Sequence, residues 1–259
     1  MTLQARQEDV EDRNALGPLG EPSASDRDRD ACFFIKRPDL SLHSEFQKHG
    51  VAYLLPQELL HEAHVLEMFR GHPHPNIVRY HGCRVRRSFV TGLVLDRHAC
   101  SLEDYLGGEE EGGDGSGRCV ELLQNQDSKK RFVDELESAV QHLHALGWAH
   151  NDIQPGNVLV AIRPGTGVAN RDHDGSRAQG RPPGKAAVVI RPILIDFESA
   201  RRVGEKLGTS RGRDGWIDCD RKDYRTSEVC HDVWALDRMH EWVDGYPFRD
   251  GQVDGNLPG

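Results

Sequence analysis

Apolar residues recur along this chain at two different periods, and the alternation between those periods lays out a mixed α+β order. Cys32 to Lys36, reading CFFIK, is a short apolar run of strand type. From Gln57 to Phe69 the apolar positions Leu59, Leu60, Ala63, Leu66 and Phe69 fall at helical spacing. Ile77 to Arg84 and Phe89 to Asp96 read as two more strands, and the second runs into SLEDYL, a short helix with Ser101 as its N-cap. Asp127 to Leu146 is an amphipathic helix in which Phe132, Leu136, Val140, Leu143 and Leu146 share a face and Gly147 ends it. Asn157 to Ile162 and Val188 to Ile195 predict a hairpin with a long insert. Glu228 to Val243 predicts a last helix with Val233, Leu236, Met239, His240 and Val243 on or near one face.

Composition sets the limits of this order. Residues 1–30, 107–118 and 163–185 are rich in Gly, Pro, Asp, Glu and Arg, which bury too little apolar surface to offset the entropy of ordering. They read as a disordered tail and two flexible inserts, with 246–259 as a second tail. The chain has 259 residues, 37% of them hydrophobic, enough for one substantial domain or two small lobes. A formal net charge of -9 argues against a nucleic-acid partner, since such surfaces neutralise phosphates with clustered Lys and Arg. The six cysteines form no C-x-x-C pair, so a reducing, intracellular and cytoplasmic setting is expected. The charged N-terminal sequence and the shortness of every apolar run point away from a membrane partner. Histidines such as His72, His74, His81, His142 and His144 bring no convincing third ligand to any helical pair, and read as surface or turn residues rather than a metal site.

Chemistry concentrates in two segments. His150 to Val160, HNDIQPGNVLV, is followed downstream by Ile195 to Glu198, IDFE, each beside a predicted strand. The pair resembles the catalytic loop H-R-D-x-x-x-x-N and the D-F-G element of protein kinases, in the same order. The resemblance implies that Asp152 takes a proton from the attacking hydroxyl while Asn157 and Asp196 supply oxygen ligands to Mg²⁺. It places Gln154, a second catalytic candidate, where protein-serine/threonine kinases usually have a phosphate-contacting lysine. Lys36, at the end of CFFIK, resembles the strand lysine that orients nucleotide phosphates, and Glu62 would be its ion-pair partner. Leu95 takes the gatekeeper position, with Asp96, Arg97 and His98 as the hinge against adenine. HPNIVRYHGC, 74–83, looks like the stretch linking the kinase regulatory helix to the next strand. HDVWAL, 231–236, looks like the helix start whose aspartate, here Asp232, braces the catalytic loop. GEKLGTSRGRDGW, 204–216, is most similar to the activation segment of divergent fungal protein-kinase-like sequences.

That likeness runs from about Phe33 to about Val243, and it implies a bilobal protein-kinase-like fold. Residues 31–98 would form a reduced N-lobe and 99–245 a truncated C-lobe. The implied activity is ATP- and Mg²⁺-dependent phosphorylation of a Ser or Thr hydroxyl on a protein substrate. Several positions depart from the pattern. No G-x-G-x-x-G loop precedes Lys36, Asn151 replaces the loop arginine, Glu198 replaces the glycine of D-F-G, and no Ala-Pro-Glu element follows. Gln154 and Glu198 also resemble choline and ethanolamine kinases, so a small-molecule acceptor stays open, as does a pseudokinase that binds without transferring.

Overall fold

The computed structural model describes residues 33–38, 43–51, 54–107, 125–164, 188–208, 211–219 and 223–245. The expected tails lie outside these residues, as do the two expected inserts apart from Gly107, Arg163 and Pro164. Strands and helices are mixed in an α+β arrangement.

Strand β1 (Phe33–Lys36) pairs antiparallel with β3 (Phe89–Asp96), which pairs on its other side with β2 (Tyr80–Arg86). β2 begins three residues later than the sequence pattern predicts. The apolar Ile77 and Val78 are buried for a different reason: Ile77 bridges to Leu194, and the Val78 N–H donates to the Leu194 carbonyl at 3.0 Å. The β2–β3 turn uses Arg87 and Ser88, both at positive φ (50° and 66°), the backbone sense that matches strand twist even without glycine. Gly92 is required by contact rather than by φ, because a Cβ there would lie 2.7 Å from the Lys36 carbonyl oxygen. This close approach sets the height of Lys36 beside the central strand.

Helix α1 (His43–Lys48) was not legible from periodicity, whereas α2 (Leu54–Arg70) extends the predicted helix by a turn, Pro56 being tolerated in its first turn. Leu59, Ala63, Val65, Leu66 and Phe69 of α2 are buried, but Leu60 is exposed. In their company Glu62 is buried completely, a placement that demands a partner.

After β3 the described residues continue into a long helix and a second sheet. Short β4 (Cys100–Ser101) leads into α3 (Leu102–Gly107), where the Asp104 N–H donates to Ser101 Oγ, the expected cap. Helix α4 (Gln126–Ala145) starts at Asn125, whose side chain accepts from the Ser128 N–H, and stops at Gly147 with φ of 77°. Phe132, Leu136, Val140 and Leu143 are buried as predicted, each worth about 1.5–3 kcal/mol of transfer free energy. Strand β5 is Trp148–Ala149; β6 (Val158–Pro164) and β7 (Val188–Leu194) form the predicted hairpin, with β4 on the outer side of β6. β8 (Arg201–Arg202) pairs with β5. Helix α5 (Val229–Gly245) buries Leu236, Met239 and Val243 against α4, while Val233, expected on that face, is exposed. Among the described residues no helix is long and apolar enough to cross a membrane.

Two polar staples join β7 to the segment before β2. Buried Asn76 donates to the Pro192 carbonyl and to Glu135 on α4, and its own carbonyl accepts from the Leu194 N–H. An aromatic cluster continues the link, with Phe69 5.4 Å from Phe197 and 5.9 Å from Trp148, and His150 5.1 Å from Phe197. Phe197 is fully buried and so anchors the residues on either side of it, Asp196 and Glu198, at the surface of this core.

Candidate active site

Three elements remote in sequence bring their charges together at Lys36. Its Nζ lies 2.8 Å from Glu62 Oε2, 2.9 Å from Asp196 Oδ1 and 3.0 Å from Glu198 Oε1. Glu62 also accepts the Phe197 N–H through its other oxygen at 3.1 Å, so one carboxylate on α2 ties β1 to the segment after β7. Burial alone would pull the Lys36 ammonium down, but the Coulomb attraction of Glu62, Asp196 and Glu198 reverses this and holds it above its ordinary value. Burial pushes Glu62 up to about 7 against the opposing pull of Lys36. Burial also raises Glu198, while at Asp196 the Lys36 ammonium outweighs burial and the carboxyl ends below its ordinary value. One cation therefore faces three carboxylates.

The second half of the site is the loop from His150 to Asn157. Asp232, 1% exposed at the start of α5, accepts the backbone N–H of His150 and of Asn151, each at 2.8 Å, and contacts His144 Nε2 at 2.8 Å. Asn151 takes a positive φ of 62°, a conformation asparagine tolerates, and its amide donates to Ala149, Ser199 and Ser227. His150 Nε2 contacts the Ile195 carbonyl at 3.0 Å, and the Ile195 N–H donates to the Asn157 carbonyl at 3.0 Å. These bonds hold the loop against the end of β7, where Asp196 stands at φ of 64°. Positive φ at a non-glycine residue costs free energy that the surrounding contacts must supply.

Within the loop, Asn157 Nδ2 donates to the Asp152 carbonyl and to Asp152 Oδ2, both at 2.9 Å. Its amide nitrogen is thereby committed to Asp152. Gln154 Nε2 donates to both Asp152 oxygens, at 3.1 and 3.2 Å. Burial raises the Asp152 carboxyl, with His150 opposing and Asp196 adding to the rise. Gln154 Oε1 accepts from Arg213 Nη1 at 3.0 Å, and the same nitrogen reaches Glu103 at 3.0 and 3.2 Å.

Lys36, Glu62 and Asp196 thus share one cluster, and Asp152, Gln154 and Asn157 share the adjoining loop. Leu95 is buried in the sheet, and the Asp96 N–H is committed to the Arg79 carbonyl. The Asp96 carboxylate meets His81 at 2.6 Å, Arg97 reaches back to the Phe33 carbonyl, and His98 lies half-buried past the strand end. Sequence reading missed the contact of Glu198 with Lys36 and the chain from Arg213 through Gln154 to Asp152. Periodicity carries no signal for such pairs, and the only hint was that both positions departed from the family pattern.

The donor set suits a hard cation. Carboxylate oxygens of Glu62, Asp196 and Glu198 lie within 4.8 Å of one another, and oxygen-only ligation is what Mg²⁺ takes. A second grouping among the described residues, Glu228, Cys230 and His231, lies at the start of α5, with Glu228 and Cys230 exposed. Three of the other histidines lie together: the His74 and His142 rings are 5.1 Å apart, and His142 Nε2 contacts the His72 carbonyl. Cys83, Cys100, Cys219 and Cys230 form no disulfide.

No family model matches the chain. Curated serine/threonine kinases are nonetheless similar to it. Over 151 residues it is 27% identical to the serine/threonine-protein kinase/endoribonuclease IRE1 of Hypocrea jecorina, covering 55% of this chain and 10% of that protein. Over 163 residues it is 24% identical to the serine/threonine-protein kinase/endoribonuclease ireA of Aspergillus fumigatus, 60% of this chain and 12% of that protein. A rice IRE1 of the same description is 31% identical over 93 residues, 34% of this chain and 10% of that protein. The chain spans about a tenth of the length of these relatives. At this distance the similarity supports a protein-kinase-like character.

Proposed function

We propose that this chain is a protein-kinase-like phosphotransferase that moves the γ-phosphoryl group of ATP, with Mg²⁺, to a Ser or Thr hydroxyl of a protein. The observation that carries the reading is the convergence on Lys36 of Glu62 at 2.8 Å and Asp196 at 2.9 Å, beside a loop in which Asn157 orients Asp152. The kinase part of the relatives' names points the same way. On this reading residues 31–98 act as the N-lobe and 99–245 as the C-lobe, with Leu95 as gatekeeper and adenine against the backbone of Asp96 to His98.

Lys36 meets the nucleotide phosphates, held at the right height by Glu62. Asp152 takes the proton of the acceptor hydroxyl, and its raised pKa makes it a better acceptor than an exposed carboxylate. Asp196 and the Asn157 amide oxygen, with Glu198 in reach, would hold Mg²⁺, which supplies charge neutralisation on the phosphates. Gln154 fixes the Asp152 carboxylate in one rotamer through two hydrogen bonds.

A small-molecule acceptor is favoured by one feature, the pair Gln154 and Glu198, which engage Asp152 and Lys36 directly. The purified chain offered γ-labelled ATP with generic proteins and with choline separates the two readings. Label on protein supports the first and label on choline the second. A Mg-ATP thermal shift without transfer to either leaves a binding module, and label on neither together with no shift ends both enzyme readings.

A further inference from the structure

Arg213, beside the loop, is a cation that the reading above leaves without a role. Lys36 is committed to three carboxylates on the nucleotide side. Gln154 is neutral, yet the moving phosphoryl group carries negative charge spread over three equatorial oxygens, and preorganised donors aimed at that charge are where catalysis gains most. Arg213 stands beside this loop. Its Nη1 donates to Gln154 Oε1 at 3.0 Å, and Gln154 donates in turn to both oxygens of Asp152.

The placement of Arg213 is built rather than accidental. The Gly212 N–H donates to the Asn151 carbonyl at 3.1 Å, which pins the backbone next to Arg213 to the residue next to Asp152. Gly212 has φ of 35°, and a Cβ there would lie 2.3 Å from Ile217, so the tight turn requires glycine. Glu103 on α3 takes the same Nη1 at 3.0 and 3.2 Å. Glu103 in turn lies so close to the loop that a Cβ on Gly156 would be 3.0 Å from its Oε2. One guanidinium nitrogen is thus anchored at two points, while the side chain stays 52% exposed and its other donors have no partner among the described residues.

We propose that Arg213 is the cation that contacts the transferring phosphoryl group, in place of a lysine on the loop. The proposal rests on the phosphotransferase reading above. As the acceptor oxygen bonds to the γ-phosphorus, the bond to the β–γ bridging oxygen breaks and its electron pair leaves with ADP. The hydroxyl proton passes to Asp152. Throughout, the outer guanidinium donors of Arg213 face the equatorial phosphoryl oxygens.

The test uses the full chain, Mg-ATP and whichever acceptor the wild type labels. Arg213→Met lowers kcat about 100-fold with little change in the KM for ATP. Its melting temperature stays put, because an exposed ion pair contributes about 0–1 kcal/mol. Adding Gln154→Lys to Arg213→Met restores kcat at least about tenfold, since it returns a cation to the same loop, which a merely structural strap would not allow. A kcat within threefold of wild type in Arg213→Met, or no recovery in the double variant, overturns the proposal. If the wild type transfers nothing, the phosphotransferase reading fails, and inorganic phosphate titrated by calorimetry still decides the anion site. Arg213→Met then weakens phosphate binding about tenfold relative to wild type. Equal affinities, or no phosphate binding by the wild type, overturn it.

Discussion

Replacing Lys36 with Met removes the one cation that three carboxylates share, and the cost is expected to depend on pH in a direction the structure sets. Attraction at 2.8 Å and an effective dielectric of about 20 is worth about 6 kcal/mol per contact before desolvation. Methionine keeps the volume and avoids the desolvation of the ammonium, so the net loss is smaller. Removing one partner of a buried pair typically costs about 3–5 kcal/mol, and the 1% exposure of the Glu62 side chain puts this pair in that range. The pH dependence follows from Glu62. Its carboxyl is pushed from an ordinary 4.5 up to about 7, and losing Lys36 raises it further. A carboxyl raised on folding takes up more protons in the native state, so the stability it allows is full below its ordinary value and falls as pH rises through the folded one. At pH 8.5 the variant should lose about 3–5 kcal/mol; at pH 5.5, with Glu62 protonated, only about 1–2 kcal/mol. Urea unfolding followed by tryptophan fluorescence, with equal slopes for both proteins, measures the difference. A cost that is the same at both pH values, or below about 1 kcal/mol at pH 8.5, refutes the reasoning.

Two further outcomes follow from the same geometry. Asp232→Ala strands the buried N–H groups of His150 and Asn151 and should cost about 3 kcal/mol or more by thermal or chemical unfolding; a loss under about 1 kcal/mol would mean the loop is held elsewhere. Because burial raises Glu62, Asp152 and Glu198, the chain without metal should lose stability from pH 5 to pH 8, the opposite contribution of Asp196 being confined to lower pH. Mg²⁺ alone should therefore raise the melting temperature more at pH 8 than at pH 5, and an equal rise at both would mean the carboxylates do not hold it.

Long periodic elements were legible in the sequence because burial on one face writes itself into spacing. α4 and the β6–β7 hairpin are of this kind, whereas the two site segments were readable through their likeness to a motif pair and not through any period. Elements too short to have a period were not: β4, β5 and β8 have two residues each and exist only through partners elsewhere in the chain. Ile77 and Val78 looked like strand residues because they are apolar, but their burial comes from β7. Val233 shows the converse, an apolar residue at helical spacing that no neighbour covers. At the site, Lys36, Glu62 and Asp196 were found through a resemblance, whereas the roles of Glu198 and Arg213 needed distances. A single charged residue in a loop looks the same in sequence whether or not it meets a partner more than a hundred residues away.

The central claim is that Asp152 sits in a phosphotransfer site, and it is tested most directly by the rate of label transfer from γ-labelled ATP for wild type beside Asp152→Asn. The substitution preserves shape and the bonds through the Asp152 carbonyl, but removes the proton acceptor. The account predicts Mg²⁺-dependent transfer by the wild type and a loss of about 100-fold or more in the variant, with Mg-ATP binding retained. Equal transfer by both proteins, or none by the wild type under conditions where Mg-ATP binds, contradicts it.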